Sequence, residues 1–452
     1  MKRTIAMLIL FVLAATLEGK TITFGEGVVA FDMEFVAVGN PGNLPDITGS
    51  PSVVGAVTYP FDIGKFETSR GEINGANAAS QAEGATLGLT MTDMVERNIE
   101  SGNGDDQPAT GVSPNAIARL VNWLNTSSGY PPAYNFDTQP GDENYDVDEP
   151  LLNWSESSAG YDPANPIRNR LARFVIPNAD EWYKAAYHDA QSGAFGVYFD
   201  FATGSDNAPI AVGESTEPGT AVWAQPTNNG PAPVRLAGGP SPYGTIGQTG
   251  NVSEYQEQRS IVEGETPRIP HRGGSWVGGE DADEFILSSS RSTSTTLLSR
   301  GKWNVGFRVA LLPLLGDFDG DEVLSAGDID LLSLAARGEI ENAAFDLNLD
   351  GDVNDLDRTY WVETAAMTHF GDANLNGNVE FSDYLAMSNS FNQPSGWADG
   401  DFNGNGKTDF GDFLLLSEHY GQLGVTAVPE PNCGCLITTG FGLLVALRRR
   451  KH

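Results

Sequence analysis

The sequence predicts an α+β protein in two folded parts, a large irregular domain followed by a small all-α region organised around cation-binding loops. Three observations predict this. A chain of 452 residues with 40% apolar content can bury one large core and a second, smaller one. Residues 22–312 are rich in Gly, Pro, Asn, Ser and Trp and have few long periodic runs, which suits short strands joined by long loops. Residues 315–424 then hold 22 acidic residues against three basic ones, a net of −19 out of −34 for the whole chain. Such an excess repels phosphate backbones and attracts divalent cations, so nucleic acid is not an expected partner.

The N-terminus carries Met1-Lys2-Arg3 and then the apolar run Ile5–Leu17 with small residues Ala14, Ala15 and Thr16. This is the basic n-region and short h-region of a secretory signal over residues 1–19, and it predicts export. Two helices stand out in the large domain. Ser113–Asn125 places Ile117, Leu120, Val121 and Leu124 on one face, and Ala179–His188 follows Asn178, a suitable N-cap. His188 and His271, the histidines ahead of the acidic region, belong to no His-x-x-His arrangement, so zinc is not expected.

Four segments of the acidic region repeat one oxygen-ligand spacing. They are Asp317-x-Asp319-x-Asp321, Asp346-x-Asn348-x-Asp350, Asp372-x-Asn374-x-Asn376 and Asp401-x-Asn403-x-Asn405, and Asp328, Asp357, Asp383 and Asp412 stand at the twelfth position of each. A hard cation takes side-chain oxygens at positions one, three and five, a carbonyl at seven and a carboxylate at twelve. Position seven is Val323, Asp352, Asn378 and Lys407 in turn. Position six, where the loop turns sharply, is Gly351, Gly377 and Gly406, with Glu322 departing in the first loop. Apolar helices such as Ile329–Ala336 and Phe413–Tyr420 follow the loops. About four bound Ca2+ ions are expected, against the alternative of Asp/Asn-rich turns without metal.

The repeats resemble dockerin type I repeats, with Asp at position twelve and no clear helix ahead of each loop. Loop starts at 317 and 346, and at 372 and 401, are 29 residues apart, so residues 315–424 read as two pairs. The resemblance implies a possible cohesin-like partner, and a calcium-stiffened spacer is the competing role. Beyond it, Val428-Pro429-Glu430-Pro431, the apolar stretch Leu436–Leu447 and Arg448-Arg449-Arg450-Lys451 resemble a PEP-CTERM sorting tail over residues 428–452. That implies handling by an exosortase and residence at the cell envelope or surface. The two cysteines of the chain, Cys433 and Cys435, both lie in this tail.

In the large domain, Val38–Asn43, Ile63–Thr68, Ile176–Trp182, Gly250–Tyr255, Arg272–Trp276 and Gly306–Ala310 occur in an order that resembles the formylglycine-generating enzyme, or sulfatase-modifying factor, family. The resemblance covers roughly residues 35–312 and implies an irregular α+β fold of the C-type-lectin kind. Family enzymes oxidise a substrate cysteine with copper held by a cysteine pair, and those two positions fall here on Gly278 and Asp283. Neither residue can hold Cu(I), which wants soft thiolates, so copper is not expected. The family's calcium site would use the carbonyls of Gly250 and Val252 and the carboxylate of Glu254. Its further Asn or Asp ligand is Gly247 here, so at most one weak calcium is expected in this domain. Ser275 is a remnant of the family's ligand site. Arg272 and Arg308 are expected to pair with buried carboxylates or carbonyls.

These readings point to an exported, envelope-sorted calcium-binding protein whose large domain has lost an oxidase centre and binds a surface protein or glycan. The alternative is an enzyme that modifies an exported protein by chemistry not based on cysteine.

Overall fold

The computed structural model describes residues 19–48, 53–193, 196–257, 265, 268–278, 286–288, 290 and 296–423. The signal-like residues up to 18, Asp283 and the tail 428–452 with Cys433 and Cys435 lie outside the described residues. Among the described residues no helix is long and apolar enough to cross a membrane. The chain divides into two compact units, the first of Met1–Ser127 and Pro132–Pro313 and the second of Leu314–His452 with the short segment Ser128–Pro131.

The first unit is α+β. Its principal strands are β1 (Lys20–Phe24), β2 (Phe31–Val38), β3 (Phe61–Gly64), β4 (Phe174–Val175), β5 (Ser253–Tyr255), β6 (His271–Arg272), β7 (Val305–Gly306) and β8 (Ala310–Leu311). Its helices are α1 (Arg70–Ala82), α2 (Pro114–Ser127) and α3 (Ala179–Tyr187). The main sheet runs β1-β2-β3-β8-β4 with every neighbouring pair antiparallel. Its last strand in sequence lies between β3 and β4, so the two ends of the domain are tied together by non-local pairing. In β2, Met33, Phe35 and Val38 are buried, and Phe31 stacks with Phe24 and Trp123 while Phe174 meets Phe24 edge-on. A second sheet, β6-β5-β7, pairs β5 antiparallel with β6 and parallel with β7.

Two helices differ at their ends from the sequence expectation. Helix α2 runs to Ser127, because the hydroxyls of Thr126 and Ser127 donate to the carbonyls of Asn122 and Leu124 and carry the last turn. Helix α3 starts as expected: the Asn178 side chain accepts from the amides of Asp180 and Glu181, and Glu181 returns the bond to Asn178. It stops at Tyr187 because His188 leaves the helix to pair with Tyr198.

The second unit is helical. After each predicted loop comes one helix: α4 (Ala326–Ala336), α5 (Asp355–Tyr360), α6 (Phe381–Asn389) and α7 (Phe410–His419). Helices α4 and α7 begin three residues earlier than their apolar runs suggest, because Ser325 and Asp409 cap them. Ile329, Phe345, Trp361, Val379, Trp397 and Leu416, drawn from all four repeats, belong to one buried cluster. The two pairs of repeats therefore share a single core.

Candidate metal centres

Each loop of the second unit is bent by the same three hydrogen bonds. The position-one carboxylate accepts the position-six amide: Glu322 on Asp317 at 2.8 Å, Gly351 on Asp346 at 3.0 Å, Gly377 on Asp372 at 2.8 Å and Gly406 on Asp401 at 2.7 Å. Position three accepts the amide of position five, and position five accepts that of position seven. In the last loop, for instance, Asn403 takes Asn405 at 3.0 Å and Asn405 takes Lys407 at 2.9 Å. In the second and third loops the position-three side chain also donates, Asn348 Nδ2 to Asp350 at 3.0 Å and Asn374 Nδ2 to Asp383 at 3.1 Å. In the first loop, oxygens of Asp317, Asp319 and Asp321 all lie within 4.8 Å of one another.

Position six needs a left-handed backbone, and the residues there show it, with φ of +94° at Gly351, +84° at Gly377 and +88° at Gly406. Glu322 adopts it too, at +68°, with the strain of a side chain in that region. None of the position-seven carbonyls, those of Val323, Asp352, Asn378 and Lys407, accepts a backbone hydrogen bond among the described residues.

Position twelve has a double role. Asp328, Asp357, Asp383 and Asp412 are each fully buried and each is the third residue of its helix, where its carboxylate closes a capping box. One oxygen accepts the N-cap amide at 2.8 Å in every repeat, from Ser325, Asn354, Glu380 and Asp409. The other accepts amides from the start of the loop, Phe318 on Asp328 at 2.7 Å and Leu347 on Asp357 at 2.7 Å among them. A carboxylate has about four lone-pair sites, and Asp357 and Asp383, which accept three hydrogen bonds each, keep one for a cation. Asp328 also accepts from the Asp319 amide and the Ser325 hydroxyl, so a cation there takes the place of that hydroxyl.

Two further observations favour a cation. Asp346 Oδ1 is buried and has no hydrogen-bond partner, a costly state for a carboxylate oxygen unless something positive meets it. Burial also pushes the carboxyls of Asp383, Asp401 and Asp412 above the usual range, with only partial relief from backbone donors. Oxygen donors at this spacing suit a hard divalent ion such as Ca2+.

Sequence spacing gave no sign of the basic side chains at the fourth loop. Arg358 is buried, stands over the ring of Phe370, and donates to Ser333 Oγ at 2.9 Å and to the carbonyl of Phe402 at 2.7 Å. Arg337 donates to the carbonyl of Gly404. A signal was available: Arg358 stands one place after position twelve, where the other repeats have Ile329, Tyr384 and Phe413.

In the first unit, residues singled out from motifs hold hydrogen bonds within the fold. Of the set Gly250, Val252 and Glu254, the Glu254 carboxylate is bound by side chains of the same unit. Arg308 grips both its oxygens at 2.6 Å, and Trp182 Nε1 donates to Oε2 at 2.7 Å. At Gly247 a side chain would approach the Glu67 carboxylate, whose oxygens accept from Asn251 Nδ2 at 2.5 Å and the Val252 amide at 3.1 Å. Burial, and next the charge of Glu254, raise the Glu67 carboxyl well above its ordinary value. Arg272 donates to the carbonyls of Ser288 and Ser290. A second buried cluster has Arg168 between Glu181 and Glu257 at 2.7 Å each, with Tyr59 and Tyr134 donating to the two carboxylates.

Ser275 is half-buried and lies 3.5 Å from Asn304 Nδ2. Gly278, one of the two positions where the resemblance expects a thiol, has no room for one. Its amide donates to the Gln225 carbonyl at 2.8 Å, and a Cβ there would lie 2.9 Å from the backbone of Ala224.

No family model matches the chain, and no curated protein matches it. Solved structures do. Treponema denticola variable protein 1 is 18% identical, over 65% of this chain and 99% of that one, with a TM-score of 0.40. CarF is 15% identical over 62% and 98%, at 0.41, and PvdO from Pseudomonas aeruginosa 18% identical over 64% and 98%, at 0.35. Overlap at that level leaves function to be argued from the residues themselves.

Proposed function

We propose that this chain is an exported, envelope-sorted calcium-binding protein. Its dockerin-like repeats are held in shape by about four Ca2+ ions, and its sulfatase-modifying-factor-like domain serves as a module that binds a surface protein or glycan. The observation that carries the calcium reading is the four-fold recurrence of one hydrogen-bond register, with the carboxylate oxygens of the first loop within 4.8 Å of one another and the Asp346 oxygen left buried and unpartnered. Against an oxidase, the backbone of Ala224 fills the space a side chain at Gly278 would need, and the only cysteines are in the tail. The test is a calcium titration of the purified full chain, with bound ions counted by native mass spectrometry. Binding of no ions would end this reading. Incubation with copper, oxygen and a Cys-x-Pro-x-Arg peptide should leave the peptide unchanged, and its conversion to an aldehyde would favour the enzyme alternative.

A docking role for the repeats, with a cohesin-like partner, has one specific observation in its favour. Exposed apolar residues recur at a 29-residue offset on α6 and α7, Phe381 with Phe410 and Leu385 with Leu414, so two similar helices offer similar faces. Such faces are typical of interaction surfaces.

A further inference from the structure

We propose that the four loops form two calcium tiers: the first two bind tightly and hold the second unit together, whereas the last two fill only at higher calcium. The fourth is the weakest. This rests on the calcium reading above and adds to it how the loops respond to calcium.

Affinity in loops of this kind is set by the number of charged ligands and by the rigidity of the site. At positions one, three, five and twelve the first loop has four carboxylates, Asp317, Asp319, Asp321 and Asp328. The second has three, because Asn348 replaces one of them. The third and fourth have two each, with Asn374 and Asn376, and Asn403 and Asn405, in the middle. Neighbouring charge sharpens the order. Glu322 and Asp352 add negative charge to the first two loops, whereas Lys407 stands inside the fourth.

The placement of the basic residues is an independent observation. The three Lys and Arg residues of 315–423 are Arg337, Arg358 and Lys407, and all three meet the fourth loop. Arg358 binds its second carbonyl, at Phe402, and Arg337 its fourth, at Gly404. Asp401 and Asp412 are among the charges that act on Arg358. The fourth loop therefore has internal cations that partly neutralise its two carboxylates and repel an incoming ion, and it keeps its shape with less need of metal. The third lacks such cations but shares the low ligand charge.

The weak tier leads into the helices that expose apolar residues. Helices α6 and α7, which follow the third and fourth loops, carry Phe381, Leu385, Phe410 and Leu414, whereas α4 and α5 expose only Leu356 among large apolar residues. A rise in calcium over the upper range would thus act on the helices that display these residues, while the first tier stays filled.

Calorimetric titration of the calcium-free full chain, with native mass spectrometry for stoichiometry, tests this. Two phases of two ions each are expected, separated at least about tenfold in affinity. Asn405→Asp adds a carboxylate to the fourth loop and should tighten the weak phase about tenfold while the tight phase stays in place. Arg337→Gln, at a half-exposed position, should tighten the weak phase in the same direction, and Asp319→Asn should loosen the tight phase alone. Four ions in a single phase, or a weak phase that neither Asn405→Asp nor Arg337→Gln moves, would overturn the two tiers and leave calcium binding intact. If no ions bind, the calcium reading itself fails.

Discussion

The two units bury comparable numbers of carboxylates and compensate them differently. In the first, Glu254 meets Arg308, and Glu181 and Glu257 share Arg168, so these buried carboxylates have guanidinium partners within the fold, while Glu67 is held by Asn251 Nδ2 and a backbone amide. In the second, Asp328, Asp357, Asp372, Asp383, Asp401 and Asp412 are all buried, while Arg358 is the one buried basic residue among the described residues. Backbone amides satisfy their hydrogen bonds but supply no charge. A fold can stay closed around such groups if its counter-charge is external, and the first unit shows what the internal solution looks like.

The largest test of that contrast is removal of calcium. Four sites filled at about 100 times their dissociation constants contribute on the order of 10 kcal/mol to the second unit. Chelation should sharply lower the midpoint of its unfolding transition in calorimetry and leave that of the first unit in place. A fall of both midpoints together would break the comparison. Next in size is Glu254→Gln, which leaves the Arg308 guanidinium buried without its counter-charge and should cost the first unit about 3–5 kcal/mol in chemical denaturation. The calcium titration of the same variant should not change.

How much of this was legible depended on distance along the chain. The candidate ligands were visible because such a loop is local: its donors lie within twelve residues, and in three of the four loops a glycine at position six marks the turn. The capping role of Asp328 and its counterparts was legible in principle too, since Ser325 stands three residues before Asp328. What supplies or withholds charge was not. Arg358 reaches Phe402 over 44 residues and Arg337 reaches Gly404 over 67, and no spacing rule joins them. The same limit explains Glu254. Motif position suggested a cation ligand, but Arg308, 54 residues on, takes both oxygens. At Gly278 the missing thiol could be seen in the sequence, but the close approach of the Ala224 backbone could not.

Lys184, a buried amine of the first unit, gives the next test. It is fully buried, its Nζ donates to the carbonyl of Asn40 at 2.9 Å, and burial pushes it down to about 8. Its folded pKa is below the unfolded one, so its contribution is present at high pH and is lost as pH falls through the folded value. From pH 10 to pH 7 that loss is roughly 2–3 kcal/mol. Lys184→Met should therefore gain stability relative to the parent at pH 7 and much less at pH 9.5, in denaturation of the first-unit transition. An equal difference at both pH values would show that the ammonium is solvated or paired. Gly278→Ala comes after it, with an overpacking cost of about 1–3 kcal/mol to the same transition.

The smallest effect separates geometry from charge at one residue. Glu322 holds a left-handed backbone at position six of the first loop, where the other three loops have glycine. Glu322→Gly should relieve about 1 kcal/mol of strain, visible as a higher denaturation midpoint of the second unit in the absence of calcium. It also removes a negative charge beside Asp317 and Asp321, so calcium should bind the first loop more weakly. The stabilisation measured without calcium should then shrink as calcium is added. If the variant is instead favoured equally at every calcium concentration, position six contributes only backbone geometry, and the charge order of the loops rests on the ligand positions alone.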